Sequence, residues 1–483
     1  MEWIKEILFY HPEAPLMFNS FVFMFLFILV LTVYAAIYRN KLSRTLFLFA
    51  FSLFFYYKTS GIFVLLLLAT LVATYFLVKI MSVKEGTVRK WWLAGTIATV
   101  LGVLAYFKYA NFLYENFCHL FQQDFQALDI FLPVGISFYS FQLLSYAIDV
   151  YRKELPEEKS FLNYAFYITF FPQLVAGPIV RAKNFLPQLR KSVRLNPIEI
   201  DKGFFLIMQG LVKKMVADYL AQYNDLVFGN PAGYSGVETM MAIFGYTMQI
   251  YCDFSGYTDM AIGMGKMMGF DLGINFNKPY QSVSLTDFWR RWHISLSSWL
   301  RDYLYIPLGG NRKGRVRTYI NLLITMLIGG LWHGANWKFV FWGGMHGVGL
   351  AIDKIWKKIT HGKTAEHRAT RILGWFITLL FVAALWVFFR AESFGDAVVI
   401  LRQSVTDFQP AILWEFLKVR PLFVVLLLAM TAIHAIPSAK FHQVEEWYVR
   451  MPFIVKAILF IVLIQCMLQL QSSEVQPFIY FQF

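Results

Sequence analysis

Residues 16–38 form a run of 23 residues without a single charge. About 20 mostly apolar residues are enough to carry an α-helix across the hydrocarbon of a bilayer. Runs nearly as clean occupy 61–78, 91–107, 372–389 and 421–437, and shorter or interrupted ones occupy 45–57, 126–148, 160–180, 203–212, 219–250, 318–337, 339–352 and 457–470. Lipid offers no hydrogen bonds to a backbone, so such runs must close their own and become helices. The sequence therefore predicts an all-α, polytopic integral membrane protein with about 11 transmembrane helices, plus interfacial or re-entrant helices. Composition agrees, because 15% of the residues are charged where a soluble domain carries about 25%. No soluble-looking block interrupts the pattern, so 1–483 reads as one membrane domain. The first run is too long for a signal-peptide core and no small-residue cleavage site follows it, so it is expected to stay as the first span.

The net charge of +14 is first a topology signal, because Lys and Arg collect in cytoplasmic loops. Arg39, Lys41 and Arg44 follow the first span, whereas Glu2, Glu6 and Glu13 precede it with only Lys5 against them. This places the N-terminus outside. The basic loops at Lys84–Lys90, Arg181–Arg194, Arg312–Arg317 and Lys354–Arg371 then face mostly the cytoplasm, where they attract anionic headgroups of membrane lipids. Arg312–Arg317 has a second possible use, as the landing patch for an anionic acyl donor. No nucleic-acid module is present. Cys118, Cys252 and Cys466 form no CxxC pair, and neither a disulfide nor a metal site is expected.

Residues 1–125 read as scaffold helices and 372–470 as plain spans. Between them, over 126–352, polar, Gly and Pro residues enter the apolar stretches, as in Pro133–Tyr139 and Phe171–Pro178. Broken helices at membrane depth are tolerated only where protein buries them or where they line a cavity, so 126–352 is the expected functional core. No internal repeat is evident, which weakens a reading as an inverted-repeat transporter.

Residues 284–304 predict one amphipathic helix lying against the membrane or the protein. It opens with a cap-like Ser284 and Asp287, and Phe288, Trp289, Trp292, Leu296, Trp299, Leu300 and Tyr303 recur at helical spacing. Arg291 pairs at i,i+4 with Asp287. His293 falls on or beside the apolar face, where spacing alone favours an ordinary core histidine. His333 lies in a run with no charge between Arg317 and Lys338. A histidine in such a run is a functional candidate by default; the plain alternative is a helix-packing role. Gly330 with Gly334, and Gly343 with Gly347, make two GxxxG pairs that let helices approach closely. Trp332, Asn336 and Trp337 add hydrogen-bonding groups nearby, in a setting that can hold an imidazole neutral, as a general base must be. His346 is a weaker candidate. Asp253, Ser255, Tyr257 and Asp259 lie in an apolar region, where they either pair with the arginines of 290–301 or line a substrate path. Asn275, Asn277, Lys278 and Tyr280 are expected in a loop at a membrane face. There is no GxSxG elbow, P-loop or HExxH.

Five segments, in order, carry a resemblance: Phe171–Ile179 with Arg181, Asp253–Asp259, Asp287–Leu296, Tyr305–Gly310 and Leu331–Gly334. Together they resemble the membrane-bound O-acyltransferases (MBOAT), over roughly 100–350. Within that family the chain looks most like the branch that serves alginate O-acetylation, which the helices after 372 and the ending Pro477–Phe483 support, and it is related to the branch that D-alanylates teichoic acids. The resemblance implies a ring of tilted helices around a thinned centre and a tunnel. It implies catalytic roles for His333 and His293, with Trp332, Asn336, Asp253, Ser255, Tyr257, Arg291, Trp289 and Tyr305 as donor-binding or tunnel-lining candidates.

From this follows an expected activity in the bacterial inner membrane: transfer of an acyl group, acetyl first among candidates, from a cytoplasmic thioester such as acetyl-CoA towards an exported polysaccharide, with no bound cofactor. His333 is the expected general base. His293 is expected to bind or polarise the thioester, or to steady the oxyanion. A periplasmic or surface SGNH-type acetyltransferase is the expected partner. Two alternatives stand beside it, D-alanyl transfer from a carrier-protein thioester and a glycan or lipid transporter.

Overall fold

A computed structural model describes residues 8–12, 15–175, 177–360 and 367–470. Pro477–Phe483, most of the acidic N-terminal segment and part of the basic loop before Arg368 lie outside the described residues. Regular structure among the described residues is entirely helical. The chain divides into two compact units, one built from residues up to Ile207 together with Thr258–Gly273, the other from Met208–Tyr257 and Ile274 onward.

The first unit holds α1 (Phe21–Ile37), α2 (Lys41–Ser60), α3 (Val64–Ser82), α4 (Gly86–Leu104), α5 (Ala110–Leu120), α6 (Ile136–Tyr151), α7 (Phe161–Thr169), the single-turn α8 (Phe171–Leu174) and α9 (Ala182–Arg190). Two long helices, α10 (Pro197–Gly229) and α11 (Gly236–Met267), contribute to both units. Phenylalanine builds this core: the Phe171 ring meets Phe23, Phe27, Phe51 and Phe55. A second cluster joins Phe270 to Phe166, Phe170 and Phe185. The interruption expected at Pro133–Tyr139 is present, and in Phe171–Pro178 the helix is a single turn, Phe171–Leu174. α6 starts only after Gly135, whose backbone is left-handed (φ +76°) and where a Cβ would stand 2.6 Å from the Leu174 carbonyl oxygen. α6 then buries all but a few of its side chains, polar ones included. It faces protein rather than lipid.

The second unit continues with α12 (Leu285–Arg291), α13 (Ile294–Leu300), α14 (Arg315–His333), α15 (Trp337–Ile359), α16 (Arg368–Arg390), α17 (Phe394–Thr406), α18 (Pro410–Val419), α19 (Pro421–Ala435), α20 (Ser438–Arg450) and α21 (Phe453–Leu470). Among the described residues, four segments can cross a membrane by length and apolarity: Lys41–Ser82, Gly86–Leu120, Arg368–Arg390 and Phe453–Leu470. The pair α18–α19, bent by 95°, makes a fifth if it is one broken span. α21 leaves Phe453, Ile454 and Ile461 more than 60% exposed, an outer surface suited to lipid and not to water. The chain is a multi-pass membrane protein. The central helices are less apolar because they carry polar and charged side chains that they bury against protein, Lys214 and Asp253 among them.

α14 and α15 form an antiparallel hairpin held by the predicted glycines. A Cβ on Gly330 would run into the Phe339 carbonyl, one on Gly343 into the Met326 carbonyl, and the Cα of each glycine lies within about 3 Å of the other's Cβ position. Gly343→Val therefore forces the two backbones apart. Overpacking of this kind costs roughly 1–3 kcal/mol or more, and the expected result is a lower unfolding midpoint in detergent than for Gly344→Val, one residue along, where the nearest atom is the end of the Leu327 side chain. Equal midpoints for the two variants would contradict the close approach.

Candidate active site

The candidate site lies in the second unit, and His293 shows how local sequence builds it. Ser284 caps α12, its Oγ accepting from the Asp287 N–H at 3.3 Å, and Arg291 Nε donates to Asp287 Oδ1 at 2.9 Å. Both features were expected. The single helix over 284–304 was not found: α12 ends at Arg291, Trp292 is extended, and His293 is left-handed at φ +43° before α13 begins. A π-helical turn, Arg301–Tyr305, follows.

The reason for the break is the segment 275–277. Ile294 N–H donates to the Asn275 carbonyl and Asn277 N–H to the Arg291 carbonyl, each at 2.9 Å. These bonds replace the helical ones that the Arg291 carbonyl and the Ile294 N–H give up, while Trp292 N–H keeps its bond to the Phe288 carbonyl. The segment is a loop, as the sequence predicted, with Asn277 exposed and Lys278 half-buried, but Asn275 and Tyr280 are buried, and that side of the loop forms an inner wall of the site.

Asn275 also sets the protonation of His293. Its Oδ1 accepts from Ser295 N–H at 3.1 Å and from Ser295 Oγ at 2.9 Å. An atom that accepts a backbone N–H is the amide oxygen, so His293 Nδ1, 3.1 Å away, must be the donor. The lone pair then sits on Nε2. Burial pushes the His293 pKa down to about 3, which keeps the ring neutral at cellular pH. A neutral ring in this tautomer accepts at Nε2 and cannot donate there.

His333 ends α14 and is 3% exposed. Trp332, Trp342 and Phe389 surround its ring edge-on at 4.9, 5.1 and 5.4 Å between centroids. Trp332 also lies 6.3 Å from the His293 ring, so one indole neighbours both histidines. On the other side of His333, Trp342 packs 4.7 Å from His346. His346 Nδ1 accepts from Trp289 Nε1 at 3.3 Å, which leaves the His346 proton on Nε2, the opposite tautomer to His293. The helix break, the glycine hairpin and Phe389 of α16 thus bring His293, Trp332, His333, Trp342, His346 and Trp289 into one aromatic enclosure.

Other predicted residues sit elsewhere. Asp253 pairs with Lys214 at 2.9 Å, and Lys214 also meets Asp218 at 2.6 Å. The Tyr257 ring lies 5.6 Å from the Lys214 ammonium. The cation that balances these carboxylates comes from α10, not from the arginines of 290–301. Ser255 is fully buried. Asn336 is exposed and caps α15, accepting from Lys338 N–H at 3.0 Å, and Trp337 is 64% exposed. Tyr305 bonds Asn311. Sequence reasoning missed Phe254, whose ring meets His293 edge-on at 4.7 Å, and Asn275, Trp342 and Phe389. Phe254 lies between two candidates, Asp253 and Ser255, and a helical-face argument from His293 had nothing to connect them before the fold was known.

A buried pair of histidines in an aromatic enclosure suits acid–base group transfer. Residues 150–391 match the family model of MBOAT, the membrane-bound O-acyltransferase family. The chain is 43% identical over 391 residues to the probable alginate O-acetylase AlgI of Pseudomonas aeruginosa, covering 78% of this chain and 72% of that one. It is 38% identical over 426 residues to the peptidoglycan O-acetyltransferase of Helicobacter pylori, covering 81% and 80%. Similarity to the teichoic acid D-alanyltransferase of Streptococcus thermophilus is 31% over 275 residues, 51% of this chain and 65% of that one. The chain belongs to the membrane-bound O-acyltransferase family and is an acyltransferase.

Asn275→Ala removes the shared acceptor of Ser295 and His293 inside a buried wall. Leaving buried donors unmade costs roughly 1–3 kcal/mol. The variant should unfold at a measurably lower temperature in detergent and lose acyl transfer; an unchanged midpoint with full activity would show that Asn275 does not hold His293.

Proposed function

We propose that this protein moves an acyl group, acetyl first among candidates, from a cytoplasmic thioester such as acetyl-CoA across the bacterial inner membrane for O-acetylation of an exported or cell-surface polysaccharide. The observation that carries this reading is the enclosure of His333 beside His293 in a family member whose more extensive matches are O-acetyltransferases. D-alanyl transfer from a carrier-protein thioester is the second reading, and the shorter, lower-identity match to the D-alanyltransferase makes it the weaker one.

In the proposed reaction His333 takes the proton of the acceptor hydroxyl as its oxygen attacks the thioester carbonyl. The carbon–sulfur bond then breaks, and the proton passes to the departing thiolate. His293 Nε2, an acceptor, orients a donor group of one reactant, the acceptor hydroxyl or an amide N–H of the donor's arm. This departs from an oxyanion-stabilising role, which needs an N–H at that position. Trp332 and the other rings exclude water and fix the reactants. The exposed basic residues Arg312, Lys313, Arg315 and Arg317, at the end of α14 remote from His333, are the proposed landing patch for an anionic donor. With about 11 spans and the N-terminus outside, the acyl group would emerge on the outer side, to a sugar or to an SGNH-type acetyltransferase partner.

His333→Ala should lower acyl transfer by about 10²–10⁴-fold, read as loss of ester-linked acetyl from cell-surface polysaccharide by NMR at equal protein expression. Full ester content would overturn the assignment, and loss of D-alanyl rather than acetyl esters would select the second reading. His293→Asn tests the other ring. Asn tolerates left-handed backbone, so this variant should lose activity while lowering the unfolding midpoint less than the β-branched His293→Val, which adds backbone strain to the lost ring.

A further inference from the structure

A cavity of about 860 Å³ opens on the second unit, and none of His293, His333 and His346 lines it. Three helices each turn one face to it: α11 with Met241, Phe244 and Met248, α16 with Ile372, Trp375 and Leu379, and α19 with Val424, Leu427 and Leu428. The walls are thus mostly apolar, with Thr247, Gln281, Thr431 and His434 also lining them. Two cations also line it, Arg368 and Arg371 in the first turn of α16. Both are exposed, and neither makes an ion pair among the described residues.

The dimensions match a lipid. α16 is a membrane-spanning candidate whose uncharged stretch begins after Arg371, so the arginines mark the interface. From Arg368 to Leu379 is 11 residues along the helix, a depth of about 16 Å at 1.5 Å per residue. That is half of a hydrocarbon core about 30 Å thick, the depth of one leaflet. Leu428 on the wall is 62% exposed, an apolar surface that water does not favour and an acyl chain does.

We propose that this cavity is a binding site for one anionic phospholipid, its phosphate held by Arg368 and Arg371 and its acyl chains lying against α11, α16 and α19. The inner end is shared with the active-site wall. Tyr280 lines the cavity, takes the Trp375 Nε1–H on its carbonyl at 2.8 Å and packs against Phe288 and Trp292, at 6.4 and 6.1 Å between centroids. Bound chains therefore brace the residue that precedes His293.

The test uses full-length protein purified in detergent, with phosphatidylglycerol and phosphatidylethanolamine as the probes, read by native mass spectrometry and by thermal unfolding. Wild type should retain one phosphatidylglycerol through delipidation and melt higher when it is added back, with phosphatidylethanolamine at least tenfold less effective. The double variant Arg368→Gln/Arg371→Gln should lose the preference between the two lipids. Leu428→Trp, which fills the cavity from an exposed position, should lose retention while keeping both arginines. Equal retention of the two lipids by wild type would overturn the proposal. So would phosphatidylglycerol retention undiminished in either variant, because the site needs both its charge and its volume. None of these readouts depends on acyl transfer, so the site stands or falls apart from the proposed reaction.

Discussion

The approach of α14 and α15 at Gly330 and Gly343 is the constraint on which the site depends. With no side chain at either position, the two backbones come within van der Waals contact, and the turn between them is short enough to set His333 at the very end of α14. Helices in lipid gain little from burying apolar surface against one another, so close packing of this kind carries much of their association. His333 then meets Trp342 from the facing helix and Phe389 from α16. Its surroundings are fixed by backbone geometry before any hydrogen bond is counted.

A second constraint is the treatment of charge. The unit buries Lys214 with Asp253 and sets the half-buried Asp218 on the same cation, one cation against two carboxylates, and a buried ion without a partner would be far more costly than the pair. At the candidate site the solution is different. His293 is neutral, its Nδ1–H satisfied by Asn275. Charge is thus kept in the ion cluster, while His293 and His346 hold their lone pairs and protons in defined places.

Much of this was legible in the sequence, for physical reasons that differ by element. The uncharged runs announced helices and a membrane, and the GxxxG pairs announced the hairpin, because both signals are local. Ser284 and the Asp287–Arg291 pair announced the start of α12 in the same way. The break at His293 was not legible. The apolar spacing continues through it, and the bonds that cause it come from Asn275 and Asn277, 16 or more residues upstream. Asn275 and Tyr280, polar and next to Lys278, resemble a surface loop until their buried partners are known. The cation for Asp253 was hidden for the same reason, since Lys214 lies on another helix. The count of membrane crossings was also beyond the pattern, because central helices such as α6 are covered by protein and need not be apolar on every face.

The break at His293 has one more consequence. A residue inside a helix inherits its side-chain direction from the helix axis, and any tilt of that axis moves it. His293 sits between two short helices, and its ring is aimed by backbone torsions locked through Asn275 and by the Phe254 face. The left-handed residue thus takes the aim of one ring out of the helical register and hands it to a loop that lies far away in sequence.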